Sequence, residues 1–175
     1  LNGKSEKVAG LADAFDGNGK VLNNATAACT LTLGPTDGQT NDFGGGILHV
    51  SGKGALSLVM TNDGVQVLSG TNTFAGTTMI TGGELLVDGV FAAAGAGVTA
   101  YAGGVFGGSG IVSQAVTIAE GAYLAPGNNG AGTLTVNSLS LAAGSINRFD
   151  LGAVEASDKV VVNGKNASSS DYRVA

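Results

Sequence analysis

Tryptophan is absent from this sequence, cysteine occurs once, proline twice, and the four charged residue types make up only 12% of it. Each scarcity excludes something. A single cysteine, Cys29, allows no internal disulfide and no thiolate metal cluster. Its setting, Cys29-Thr30-Leu31-Thr32-Leu33, reads as a small buried residue in an apolar stretch. The eight Lys and Arg are scattered and the net charge is −5, so no run of phosphates would be neutralised and no nucleic-acid partner is expected. Without Trp, a broad sugar-stacking platform is not expected either. Disorder requires low hydrophobicity with high charge, and at 43% hydrophobic this chain has the reverse.

Glycine is what the sequence has in quantity, 31 in 175 residues, without the every-third period of collagen. A β-rich fold with many tight turns remains, each using Gly where φ must be positive. Gly89 to Ala119 contains no charged residue and is long enough to span a bilayer. Eight of the 22 residues from Gly89 to Gly110 are Gly, however, and larger apolar residues alternate with small ones. That is a strand-and-turn pattern, so no membrane-spanning segment is expected. The first residues do not read as a signal peptide, which suggests a mature or excised segment.

Self-similarity decides the fold. Thr78-Met-Ile-Thr-Gly-Gly83-Glu-Leu-Leu, Val98-Thr-Ala-Tyr-Ala-Gly103-Gly-Val-Phe, Val116-Thr-Ile-Ala-Glu-Gly121-Ala-Tyr-Leu and Leu139-Ser-Leu-Ala-Ala-Gly144-Ser-Ile-Asn share one pattern. Each is a short alternating strand with a glycine five residues after its first position. These glycines are 20, 18 and 23 residues apart. Strands this short, separated by one or two turn residues, bury their apolar face by stacking on the equivalent strand of the next coil. The expected fold is all-β, a right-handed parallel β-helix with coils of about 20 residues and a rod on the order of 40 Å long. Eight or nine such coils would fit the chain.

Further strand candidates are Thr30–Leu33, Ile47–Val50, Ala55–Met60, Val65–Leu68, Leu85–Val87, Thr133–Val136, Asn147–Leu151 and Lys159–Val162. Turn pairs such as Asp63-Gly64, Asp88-Gly89, Pro126-Gly127 and Asn163-Gly164 bound nearly all of them. The best helical stretch, Lys7–Phe15, is short and runs at once into Asp16-Gly17-Asn18-Gly19. A single domain over residues 1–175 is expected: weakly matched coils over 1–42, repeat-like coils over 43–164, and a C-terminal edge over 165–175.

The stretch Leu68-Ser-Gly-Thr-Asn-Thr-Phe-Ala-Gly-Thr-Thr-Met-Ile-Thr-Gly-Gly-Glu-Leu-Leu-Val-Asp-Gly89 resembles the autotransporter-associated β-strand repeat, also called the passenger-associated transport repeat. Thr71, Phe74 and Glu84 stand where that motif has Ala, Tyr and Thr. Leu124-Ala-Pro-Gly127, Gly132-Thr-Leu-Thr-Val136, Phe149-Asp-Leu-Gly152 and Ser157-Asp-Lys-Val-Val-Val-Asn-Gly164 resemble the segments common downstream of such a repeat. The resemblance implies a passenger-type β-helix of a protein exported to the bacterial outer surface.

Candidate chemistry is thin. The densest polar group is Arg148, Asp150, Asp158 and Lys159; Arg148 and Asp150, two apart on a strand, read as a surface ion pair. His49 lies on the opposite strand face from Leu48 and Val50 and reads as exposed. Asp13-Ala-Phe-Asp16-Gly17-Asn18-Gly19 lacks the ligand alternation and closing Glu of a calcium loop. Aspartates beside glycine read as turn formers that bond the local backbone. The glycine runs Gly44–Gly46 and Gly103–Gly110 read as close-packed solenoid corners rather than phosphate cradles. No catalytic, cofactor or metal residue is assigned.

The expected role is a structural stalk or passenger segment at the cell surface or outside the cell, its partners the neighbouring coils of a parent protein. The alternative is an adhesion or self-assembling module, such as a fibre or surface layer, pairing end to end through exposed coils. A polysaccharide-active enzyme comes last.

Overall fold

The computed structural model describes residues 1–13, 17–92, 97–153 and 156–164. Its first strands are β1 (Glu6–Val8), β2 (Lys20–Leu22), β3 (Cys29–Leu33), β4 (Thr40–Phe43), β5 (Gly46–Leu48), β6 (Leu56–Met60), β7 (Val65–Leu68), β8 (Thr71–Asn72) and β9 (Thr78–Ile80). Then come β10 (Glu84–Val87), β11 (Val90–Phe91), β12 (Val98–Ala100), β13 (Val105–Gly108), β14 (Ile111–Ile118), β15 (Tyr123–Pro126), β16 (Thr133–Leu141), β17 (Ile146–Asn147) and β18 (Lys159–Val162). No helix occurs among the described residues. Lys7 and Val8 of the best helical stretch belong to β1, while Ala14 and Phe15 lie outside the described residues.

Every ladder between strands is parallel, and the strands fall into three columns. The first holds β1, β3, β6, β9, β12 and the later halves of β14 and β16. The second holds β4, β7, β10, β13, β15 and β17. The third holds β2 with β5, β8 with β11, the early halves of β14 and β16, and β18. Thr73 N–H donates to Ile47 O at 2.9 Å and carries the third column across from β5 to β8.

In the first column Leu31 pairs with Leu58, Leu58 with Thr78, Thr78 with Val98, Val98 with Val116 and Val116 with Leu139. The steps are therefore 27, 20, 20, 18 and 23 residues. The chain is a parallel β-solenoid of about six turns, roughly 23 residues apart, where eight or nine coils of 20 were expected. The repeat region has the expected period; longer corners at both ends consume the remaining residues. At one strand spacing per turn the rod is on the order of 30 Å long.

Alternation explains the core. In β3 and β6 every second side chain is buried, so Cys29, Leu31, Leu33, Leu56, Leu58 and Met60 stack inward while Thr30, Thr32 and Ser57 face out. Each fully buried Leu or Ile contributes about 1.5–3 kcal/mol. In the third column Phe91 and Val112 stack, and Phe74 meets Phe91 edge to face at 5.4 Å.

Two corners carry the glycine pattern. After the first column the chain turns through Gly38, Asn62, Gly83, Gly103, Gly121 and Gly144, all at positive φ between 66° and 83°. The four repeat glycines are among them, which explains their recurrence. At the corner between the second and third columns Gly45, Gly70, Gly89 and Gly110 stack on one another. A Cβ there would lie 2.1, 2.0, 2.1 and 2.1 Å from the carbonyl oxygens of Gly19, Gly45, Gly70 and Gly89 respectively. The Gly70 and Gly89 oxygens also accept the next coil's N–H, from Val90 and Ile111, both at 3.0 Å. Only Gly lets the coils approach this closely, so Gly45 and Gly110 occupy a close-packed corner, whereas Gly103 turns the chain where a Cβ would meet nothing within 4 Å.

Between the third and first columns the corner disappears in the last coils. Ile111–Ile118 and Thr133–Leu141 each run straight through it, with a register shift between Val112 and Ala115. No Gly or Pro interrupts Ser113-Gln114-Ala115, which leaves no residue to force a bend.

Candidate functional site

The coil from Leu68 to Gly89 is the most regular part of the chain, and each of its motif positions has a stacking role. Asn72 is fully buried: its Oδ1 accepts Ile47 N–H at 3.0 Å from the coil before, and its Nδ2 donates to Gly70 O at 3.1 Å. Phe74 fills the core against Phe91. A Cβ on Gly76 would meet Leu56 O at 2.3 Å. Gly83 turns the chain at φ 66°, and Leu85 and Val87 return it to the core. The coil is built to sit on another coil of the same kind. Residues 58–87 match the passenger-associated-transport-repeat family. The match runs from the middle of β6 to the end of β10 and so covers more than one turn. This transport repeat and the solenoid around it fit an autotransporter passenger segment. No curated protein and no solved structure matches the chain significantly.

Two further buried polar side chains, Gln66 within the matched residues and Asn23 before them, tie coils together. Gln66 Oε1 accepts Leu11 N–H at 2.8 Å, and its Nε2 donates to Leu11 O, Asn41 O and Val67 O at 2.9, 3.2 and 2.9 Å. It thereby fastens residue 11 over the start of the second column. Asn23 Oδ1 accepts Gly3 N–H at 2.7 Å, while its Nδ2 donates to Ala27 O and Gly54 O at 2.7 and 3.0 Å. Neither residue stands out in the sequence, where a polar residue in a strand reads as facing water.

Asp88 acts differently from the local turn former expected. Asp88 Oδ1 accepts Ser109 N–H at 2.9 Å and its Oδ2 accepts from Asn128 Nδ2 at 2.7 Å, reaching one and two coils onward. Asp13 Oδ1 accepts Gly44 N–H at 2.9 Å, so the one described carboxylate of the calcium-like stretch serves as a backbone acceptor. Asp16 of that stretch lies outside the described residues. No group of three or more His, Cys, Asp or Glu is placed to hold a metal ion among the described residues.

The Arg148 cluster is also rearranged. Strand β17 ends at Asn147, not Leu151, so Arg148 and Asp150 do not share a strand face. They form no ion pair with each other; the Arg148 guanidinium lies 4.7 Å from the centroid of the Tyr123 ring, a cation–π contact. Asp158 is buried, its carboxylate accepting Gly132 N–H at 2.8 Å and Asp150 N–H at 2.7 Å, and it pins two loops together. Lys159 begins β18 and is exposed. His49 is exposed just beyond β5, its N–H donating to Thr73 Oγ1 at 3.2 Å. The buried residue of that strand is Ile47, not Leu48. Cys29 is buried and free, and burial pushes its thiol pKa up.

Both ends of the solenoid offer unpaired strand edges among the described residues. β1, β2 and β4 each pair on one side only, as do β17 and β18 at the other end. Ile146, Leu151, Val161 and Val162 are exposed apolar residues near the second end. The expected edge over residues 165–175 lies outside the described residues. No described helix is long and apolar enough to cross a membrane.

Proposed function

We infer that this chain is a structural β-helical stalk or passenger segment of a bacterial cell-surface or secreted protein, one that spaces or presents other modules and performs no catalysis. The observation that carries this reading is the transport repeat lying in register within a continuous three-column solenoid. Its conspicuous residues Asn72 and Gly83, and Gly89 just beyond it, are all consumed in stacking one coil on another. The mechanism is that stacking: a folded coil presents a row of N–H and C=O groups on which the next forms.

Mass and shape in solution test it, by light scattering and negative-stain microscopy over a concentration series. Monomeric short rods at every concentration support the spacer. The exposed Ile146, Val161 and Val162 on edge strands favour a second reading, an adhesive or self-assembling module. Regular end-to-end filaments would replace the first reading with this one.

A further inference from the structure

An asparagine followed by glycine can lose its side-chain amide unaided, because no side chain on the glycine keeps its backbone nitrogen from the asparagine Cγ. The chain has four such pairs, Asn2–Gly3, Asn18–Gly19, Asn129–Gly130 and Asn163–Gly164. All four share the same local chemistry, and the fold separates them.

In three pairs the glycine is held. Gly3 N–H donates to Asn23 Oδ1 at 2.7 Å, and Gly164 N–H donates to Asn137 O at 2.6 Å. Gly19 lies beneath the close-packed corner: its carbonyl accepts Gly46 N–H at 2.8 Å, and a Cβ on Gly45 would lie 2.1 Å from that oxygen. Asn18 is itself engaged. Asn129 and Gly130, by contrast, are both exposed, and Gly130 N–H makes no hydrogen bond among the described residues. Asn129 sits at φ 55°, a left-handed conformation that Asn accepts more readily than most residues. The turn that favours Asn here therefore also presents it. Gly127, Gly130 and Gly132 surround it and give the backbone the freedom to swing into attack.

We propose that the fold singles out Asn129 as a self-modifying site, which converts to aspartate and isoaspartate without an enzyme. Gly130 N bonds to Asn129 Cγ, the Cγ–Nδ2 bond breaks, and ammonia leaves with the proton that Gly130 N gives up. Water then opens the resulting succinimide at either carbonyl. The product alters a tie between coils. Asn129 Nδ2 donates to Asn128 Oδ1 at 3.0 Å, and Asn128 Nδ2 donates to Asp88 Oδ2 at 2.7 Å. A carboxylate at position 129 has no proton to give Asn128 and adds negative charge beside the Asn128–Asp88 pair. The loop's hold on the coil two turns back loosens accordingly.

The proposal stands apart from the spacer reading. It is tested by holding the folded protein at mildly alkaline pH and following each pair by peptide mass mapping, with isoaspartate scored by enzymatic methylation. Asn129 converts at least about tenfold faster than Asn2, Asn18 or Asn163, since attack at those pairs waits for local opening. In urea-unfolded protein the four pairs convert at similar rates. Asn129→Gly, which keeps the left-handed φ accessible, removes the main aged species. Equal rates at the four pairs in the folded protein overturn the proposal, as does an Asn129 that persists there while the unfolded chain converts. A preference for Asn129 as large in urea as in the folded protein also overturns it, because the fold would then have no part in the selection.

Discussion

Replacing Gly89 by alanine perturbs the solenoid at one defined oxygen. The added Cβ would lie 2.1 Å from Gly70 O and 2.4 Å from Ser69 O. An ordinary C···O contact is about 3.3 Å, so the coils must separate there by roughly 1 Å. Gly70 O is the acceptor of Val90 N–H at 3.0 Å, and Leu68 O accepts Gly89 N–H at 3.0 Å. Losing both costs about 1 kcal/mol each, and the overpacking adds about 1–3 kcal/mol. The expected destabilisation is about 3–5 kcal/mol. Gly38→Ala provides the comparison, because Gly38 has positive φ but nothing within 4 Å of its Cβ position. That variant carries only the left-handed backbone penalty, about 1–2 kcal/mol. Thermal melting by circular dichroism ranks the two, and hydrogen exchange locates the damage at the Val90 amide. Gly89→Ala melting no lower than Gly38→Ala would refute the claim that the glycine stack sets the coil spacing.

Phe91→Ala, which empties a fully buried site against Phe74, should cost about 3–5 kcal/mol in urea unfolding. Gln66→Met removes every bond to Leu11 at nearly unchanged volume; the Leu11 amide should then exchange far faster while amides of β12 and β13 keep their protection. Asp158→Asn turns one accepting oxygen into a donor opposite a backbone N–H, and a loss of about 1.5–3 kcal/mol should appear first in the exchange of Gly132 and Asp150 amides. Cys29 should resist maleimide until β3 opens. Burial raises its folded pKa above the unfolded value, so its stability contribution is full below the unfolded thiol's pKa and is lost as pH rises through the folded one. A stability that increases across that alkaline range in wild type but not in Cys29→Ala would contradict this.

Much of the fold is legible because stacking repeats its demands. Val65–Leu68 and Lys159–Val162 fall on strands with the bounds read from the sequence, and glycines 83, 103, 121 and 144 all turn the chain at positive φ. The coil number is less legible, since strands must stay in register while corners can have any length, and only the corners differ between the steps of 18 and 27. Gln66 escapes because it sits between Val65 and Val67 and reads as outward; its four partners come from segments up to 55 residues away. Asp88 reads as a local turn former because Gly89 is its immediate neighbour, whereas its partner Asn128 lies 40 residues along the chain. The covered outer side of the second column has one local signal, the failure of alternation in Glu84-Leu85-Leu86-Val87 and Val105-Phe106-Gly107-Gly108. That pattern gives no indication of which distant loops border the outer face.

Because every ladder is parallel and joins strands of successive coils, its hydrogen bonds run along the rod rather than across it. A molecule held at its two termini and pulled therefore bears load as an adhesive tape does: the terminal coil peels while those behind it stay intact. A coil of 20 residues, such as that from Leu58 to Thr78, would release about 65–70 Å of chain as it lets go. Extension would proceed in a staircase of such lengths, each step slightly different because the corners differ, and the coils in reserve would limit the tension passed to whatever the rod carries.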